Sequence, residues 1–501
     1  MSYIATGDKN NFWEASRSVG MVAINNDIAL MAHLMRRAGF GATKDKLVGL
    51  MDNGYEHVVD ELIEPTEEAS INDPLLRRYF PDQGTNHDST GFGAYTLFRL
   101  VTTKQPLKEK MAFFWNNIFA TGYAKVTTGK VLGDQLRMFR KHGMGTLDNL
   151  LLELSRDPAM IIWLDNIDNH KGAINENYGR ELLELFSMGV GNYSEEDIKE
   201  CSRAFTGWTV DNAIYTQELA IRNSIYPYGK IAWRYNYDEV DHDDGEKTFL
   251  GETGRFNGED IVEIICRQPA TARFIARHLY HFFVADEPPV TQWPYKEPQD
   301  QEAIDILVKA YFDTGHDIGE MVRVLLNSDF FKSEECRYKR IKSPVDLAVS
   351  ILRITGEFDW PTTEIANRYS QVGYMGQALA YPPSVEGWHQ GLEWIETGSI
   401  TERVNFASQQ LGDLNRSGIK QIVDNVLGDY SMEIDAEMLV NICLEQLGVV
   451  EVSEKSRETL TTFVEDLGFT GINDQSSRDD LEKKIPKILS VIGAVPEYQR
   501  A

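Results

Sequence analysis

The 501-residue chain concentrates its reactive side chains in two short segments. The first runs Asn175-Glu-Asn-Tyr-Gly-Arg-Glu-Leu-Leu-Glu-Leu-Phe-Ser-Met-Gly189. Helical from Glu176, it would place Glu176, Arg180 and Glu184 on one face at i, i+4 and i+8. Glu181 stands three residues before Glu184, and Leu182, Leu183, Leu185 and Phe186 form the apolar side. Gly189 marks the expected stop. Two or three carboxylates tuned by Arg180 can hold a divalent cation or move a proton. The same spacing also makes a ladder of ion pairs, each worth about 0.2–0.5 kcal/mol. Spacing alone leaves both readings open.

The second segment is Asp238-Glu-Val-Asp-His-Asp-Asp-Gly-Glu-Lys-Thr-Phe-Leu-Gly251. Its oxygen ligands beside His242 could form a cation site. It is not an EF-hand, because aligning Gly245 with that loop's glycine puts Val240 at the first ligand position and Gly251 at the last. His242 beside Asp243 can be an oriented acid/base, with Lys247 a cation for an anionic substrate group. The alternative is a solvated acidic turn bending at Asp244-Gly245.

Other candidates carry less. His278 and His281 at i, i+3 on an apolar helix can face a metal, yet the H-E-x-x-H context is missing. His33 before Arg36-Arg37 is an anion site or a polar helix end. The Tyr381–Gly391 loop, with Trp388 and His389, is a pocket wall or a packing corner. G-x-S-x-G, Walker A and G-x-G-x-x-G are all absent from the sequence, which removes the usual α/β-hydrolase, P-loop and Rossmann readings. Four cysteines at 201, 266, 336 and 443 have no metal-binding spacing and are too few for a disulfide framework. They read as reduced, largely buried thiols.

The elements that must position these residues are mostly helical. Apolar periodicity predicts helices over 26–38, 44–53, 107–119, 146–155, 301–327 and 343–354, with one or two over 258–284. Ser194-Glu-Glu-Asp197 opens another with a capping signature and acids at the positive end of its dipole. The cluster Lys104 to Lys110, which includes Glu109, reads as a solvated helix start. Between about 208 and 256 β-formers alternate with Gly and Asp, as in Trp208-Thr-Val210, Ile231–Tyr237 and Thr248-Phe-Leu250. The expected fold is therefore mainly α, a large multi-helix domain with a small extended or β-hairpin insertion around 208–256. The expected organisation is an N-terminal segment 1–25, a main helical domain 26–410 and an acidic helical region 411–501.

Composition narrows the partners. A formal charge of −27 and 42% hydrophobic residues describe a folded, acidic chain. Sequence-independent binding to nucleic acid or anionic membrane needs a basic face, so neither is expected. No run approaches the roughly 20 apolar residues of a spanning helix. The sequence opens without a basic region followed by an apolar run, so as written the expectation is cytoplasmic, with export only if the start is truncated.

Taken together the motifs resemble the bacterial family called domain of unknown function 1800. They are His33-Leu-Met-Arg-Arg-Ala-Gly-Phe-Gly-Ala-Thr43, Phe114-Trp-Asn-Asn-Ile-Phe-Ala-Thr121, Asp157-Pro-Ala-Met160, Leu164-Asp-Asn166, Asn175–Leu185 with Gly189, Arg203-Ala-Phe-Thr-Gly-Trp-Thr209, His242-Asp243 with Gly245, Lys247-Thr-Phe-Leu-Gly251, and Pro382-Pro-Ser-Val-Glu-Gly-Trp388. They follow the family's order across most of residues 30–410. The resemblance implies a helical fold and a bacterial source, with no assigned reaction. It also implies frequent export, and a sulfatase-like partner encoded by a neighbouring gene. Family members tend to carry histidine where this chain has Asn116 and Ile118, and Lys or Arg where it has His278 and His281. Two functional readings follow. In one, an enzyme, hydrolase-like with redox chemistry left open, uses Glu176, Glu181 or Glu184 to hold a divalent cation or act as base, with His242 as acid/base oriented by Asp243, and Arg180 and Lys247 bind an anionic group, in a cleft walled by Trp115, Trp208 and Trp388. In the other, the same polar residues form a structural network in a non-catalytic scaffold or binding protein.

Overall fold

The computed structural model describes residues 26–66, 76, 79–80, 89–126, 128–211, 233–288, 295–388, 390–428, 434–448, 450–469 and 475–501. The expected segment 1–25, part of the 208–256 insertion and His389 lie outside them. The architecture is mainly α with small β hairpins. The apolar runs expected to be helical form Asn26–Arg37, Lys44–Met51, Pro106–Ile118, Leu147–Ser155 and Pro344–Thr355. The run 258–284 is two helices, Gly258–Cys266 and Pro269–Phe283, broken where Pro269 opens the second one. Likewise 301–327 is split into Gln301–Asp313 and Ile318–Asn327.

β1 (Trp208–Val210) pairs antiparallel with β2 (Tyr235–Tyr237), Trp208 opposite Tyr237. β3 (Lys247–Phe249) pairs antiparallel with β4 (Glu252–Gly254), Lys247 opposite Gly254. The tight hairpin turn falls at Leu250-Gly251, both at positive φ (47° and 84°), rather than at Asp244-Gly245. Two successive left-handed residues match the twist of a two-residue hairpin. The earlier bend is held instead by the Gly245 amide donating to Asp243 Oδ1 (2.9 Å).

Two large apolar cores hold the helices. One runs from Ile28 through Trp115, Phe186 and Trp208 to Phe331. The other joins Phe40, Leu97 and Leu352 to Ile419, Leu439, Leu460 and Ile488. The helices beyond residue 410 share a core with helices from the first hundred residues. All four cysteines are buried and unpaired. Among the described residues no helix is long and apolar enough to cross a membrane.

One charged segment departs from its expected place. Glu109 and Lys110 are not solvated: they are 3% and 5% exposed. Glu109 accepts from Arg99 (3.2 Å) and Arg140 (2.6 Å), and Lys110 pairs with Asp346 (3.1 Å). Their partners lie on other helices, out of reach of a local reading.

Candidate functional site

The Asn177–Glu184 helix ends where the Leu185 and Phe186 amides share the Glu181 carbonyl, and Ser187 Oγ donates to the Leu182 carbonyl (2.5 Å). Gly189, at φ 78°, closes the turns that follow. Ahead of the helix, the Asn175 amide donates to Asn169 Oδ1 (3.1 Å), and Asn175 Oδ1 accepts from the Asn177 amide (3.0 Å). Asn169 in turn donates to the Ser202 carbonyl (2.8 Å), and Asn166 to the Trp208 carbonyl (2.7 Å). Asn166 therefore pins its own segment to Arg203–Thr209, while Asn169 ties Asn175 to Ser202.

The helix lies against Glu195–Ala204, whose Ser194–Asp197 capping box forms as its sequence predicts. Gly179 sits at the crossing: a Cβ there would stand 2.2 Å from Ser202 Oγ and 3.1 Å from the Ile198 carbonyl. Gly179→Ala is expected to cost about 1–3 kcal/mol through this overpacking, read from the denaturation midpoint.

Arg180 donates to both oxygens of Glu195 (3.1 and 2.8 Å) and to Glu176 (3.2 Å). Glu195, in the next helix, was not among the expected residues; only its acid character near a capping serine marked it. This trio is solvated. Exposed ion pairs contribute little, so Arg180→Ala is expected to leave the melting temperature essentially unchanged in differential scanning fluorimetry.

Glu181 is different. It is half-buried, and no hydrogen bond or ion pair ties down its carboxylate among the described residues. Burial pushes its pKa up to about 7; Glu184 and Glu386 add to that and Arg180 opposes it. Glu184 accepts from the Tyr193 hydroxyl (3.0 Å). Glu386 comes from the distant Pro382–Trp388 loop. That loop is seated on the Phe114–Thr121 segment: Trp388 N donates to Asn117 Oδ1 (3.1 Å). Gly387, at φ 83°, brings its Cα so close that a Cβ would stand 2.1 Å from the Asn117 carbonyl, and only glycine fits. Glu386 thus acts on Glu181 from a loop seated on another segment singled out in the sequence, and the spacing pattern alone had not set Glu181 apart from its neighbours.

The second segment is anchored at every polar atom that matters to its shape. Asp243 grips Arg203 side-on (Nε to Oδ2 2.8 Å, Nη2 to Oδ1 3.2 Å). That contact, ahead of all other influences, holds its carboxyl down at about 2. Arg203 also donates to both oxygens of Glu200 (2.9 and 2.7 Å). Lys247, fully buried, donates to the carbonyls of Asp243 and Gly245, and burial lowers its pKa. His242 is oriented by the Thr206 carbonyl, 2.9 Å from Nδ1, and not by Asp243. A carbonyl only accepts, so Nδ1 carries the proton and Nε2 is the basic nitrogen of the neutral ring.

The two segments sit at opposite ends of one helix. Glu195 in its first turn meets Arg180, and Arg203 in its last turn meets Asp243. Eight residues at about 1.5 Å each separate these contacts by about 12 Å along the axis. Among the described residues no hydrogen bond or ion pair links Glu176, Arg180, Glu181 or Glu184 to His242, Asp243 or Lys247. Nor do three or more His, Cys, Asp or Glu side chains converge as cation ligands among those residues. Trp115, Trp208 and Trp388 are all buried, the last in a separate small cluster with Ile341 and Trp394. They are packing residues and do not wall a common cleft. His278 packs on Phe274, while His281 is committed to Gln390 and to the Glu287 amide.

No curated protein and no solved structure matches the chain. The model of a family described as "Protein of unknown function (DUF1800)" matches residues 33–500, nearly the whole length, and the chain belongs to that family.

Proposed function

We propose that the protein is a hydrolase-like enzyme in which Glu181 is the general acid/base. The observation behind this is a half-buried carboxyl with no hydrogen bond or ion pair among the described residues, whose proton affinity burial raises, with Glu184 and Glu386 adding to the rise and Arg180 opposing it. A carboxyl protonated near neutrality can give a proton to a leaving group and take one from water. Glu184, held by Tyr193, is the second carboxylate of the pair. Arg180, paired with Glu176 and Glu195, forms a solvated rim beside it, and its charge is already taken up by those two carboxylates. An acid/base role suits this arrangement better than cation binding, because Glu176, Glu181 and Glu184 do not converge.

The test is a panel of chromogenic ester and glycoside substrates, assayed with the wild type and Glu181→Gln. Hydrolysis by the wild type with an acid limb near pH 7, lost in the variant, supports the reading. Equal rates in both proteins remove Glu181 from the chemistry.

The scaffold reading is favoured by one specific observation, the fully engaged Asp243–Arg203–Glu200 and Lys247 contacts. We assign these residues to holding the β3 turn on the Glu195–Ala204 helix. Arg203→Met is then expected to cost about 3 kcal/mol, since it strands two part-buried carboxylates. A wild-type unfolding midpoint in that variant would exclude the structural role.

A further inference from the structure

In a chain of charge −27, the helix end at Arg36 lies in a nearly buried cluster of cations. Arg36, Arg37, Lys110, Arg340, Lys342 and Arg403 are each at most 8% exposed. Their carboxylate partners are few: Asp346 pairs with Lys110, and the half-exposed Asp286 with Arg340 (2.6 Å). The others rest on neutral groups. Arg37 donates to the Phe283 and Val284 carbonyls, Lys342 to the Tyr498 carbonyl (2.8 Å), and Arg403 to Gln499 and the Lys342 carbonyl. Carbonyls satisfy N–H groups but do not neutralise charge, and uncompensated buried cations are costly. Burial, followed by Arg36 and Arg403, brings Lys342 down to about 7.

Arg36 is the least satisfied of the six. One terminal nitrogen stands 3.4 Å from the Gly448 carbonyl, and the guanidinium lies over the Tyr338 ring at 4.5 Å. Its Nε and Nη2 are buried with no partner among the described residues. These two atoms form the side-on edge of a guanidinium, the fork that takes two oxygens of one carboxylate or oxyanion. Arg36 lines a pocket with Lys110, Lys342, Tyr338, Tyr498 and Asp346. About 30 Å³ there is open to the centres of water molecules, room for about two waters or one tetrahedral anion. Glu497 also borders it, with its carboxylate turned to Ser453 and Ser456.

We propose that this pocket binds a small oxyanion of the phosphate or sulfate class, clasped by the Arg36 fork and neutralised by Lys342 and Lys110. The site is separate from Glu181 and does not depend on the reaction assigned there. It accounts for Arg36 and Lys342 standing beside Lys110 out of water: these three of the six cations line the pocket, and an anion inside it offsets their charge.

The test is titration of exhaustively dialysed full-length protein with inorganic phosphate, and separately with sulfate, by calorimetry. Ionic strength is held constant with chloride. Saturable binding of one equivalent is expected. Arg36→Lys keeps the charge and loses the fork, and should weaken binding about tenfold, the worth of one charge-assisted contact. Arg36→Gln removes both, and should weaken it at least 100-fold. No saturable binding by the wild type, or wild-type affinity in the variants, overturns the proposal. If Arg36→Gln does not fold, Arg36→Lys decides.

Discussion

Glu181→Gln is expected to lower hydrolytic turnover by 10²- to 10⁴-fold, the usual worth of a positioned general acid/base, while raising stability above neutral pH. Both effects have one cause. Glu181 sits in a half-buried place beside Glu184 and Glu386, so its pKa rises from an ordinary 4.5 to about 7. A carboxyl whose folded value is raised favours the folded state in its protonated form. That contribution is complete below about pH 4.5 and is lost as pH rises through 7. At pH 8 the wild type therefore carries an unfavourable charge that glutamine lacks. The shift alone would convert to about 3 kcal/mol. Solvent reaches a good part of this side chain and screens it, so a gain of about 1 kcal/mol is expected. At pH 4.5 the two proteins should unfold together. Removing an acid/base group in this way trades activity for stability, and a purely structural glutamate would show the opposite sign. Denaturation midpoints at pH 4.5 and 8, with the activity profile across pH 5–9, check both halves.

What the sequence disclosed was local. Periodicity placed the helices, because an apolar stripe is written into consecutive residues. The Ser194 capping box was readable because donor and acceptor stand three residues apart. β1, β2 and β3 were readable from their β-formers, though β4 and the hairpin turn were not. The site residues were legible as types and only partly as an arrangement. Nothing within Asn175–Gly189 says that Arg180 will turn to Glu195, or that Glu386, some two hundred residues away, will add to the rise that burial and Glu184 cause in the proton affinity of Glu181. His242 and Asp243 are adjacent in sequence yet take different partners, Thr206 and Arg203. Adjacent side chains in an extended turn point apart, so neighbouring letters were poor guides to contact. The tryptophans misled for a similar reason: a large aromatic ring beside polar motifs fits a cleft wall and a core equally well until its neighbours are known.

Glu109→Ala is the substitution expected to damage the fold most, by about 3–5 kcal/mol. Glu109, in the Pro106–Ile118 helix, accepts from Arg99 of the Thr90–Thr102 helix and from Arg140 of the Gly129–His142 helix. Their side chains are at most 9% exposed. Burial alone would raise the Glu109 pKa, but Arg140 and then Arg99 outweigh it and hold the carboxyl below its ordinary 4.5. Its stabilising contribution is therefore complete above about pH 4.5 and is lost as pH falls through the depressed value. Alanine removes the carboxylate that bridges these two guanidiniums and opens a cavity beside them. A buried guanidinium deprived of its carboxylate costs far more than the pair was worth as an attraction, because it cannot recover its water. The triple variant Glu109→Leu, Arg99→Met and Arg140→Met separates these terms. It removes all the charge at similar volume, and should recover most of the loss if stranded cations are the cause. Urea midpoints with unchanged slopes would measure the recovery. A triple variant no more stable than Glu109→Ala would show instead that packing at this junction of three helices dominates, and that the ion pairs are secondary.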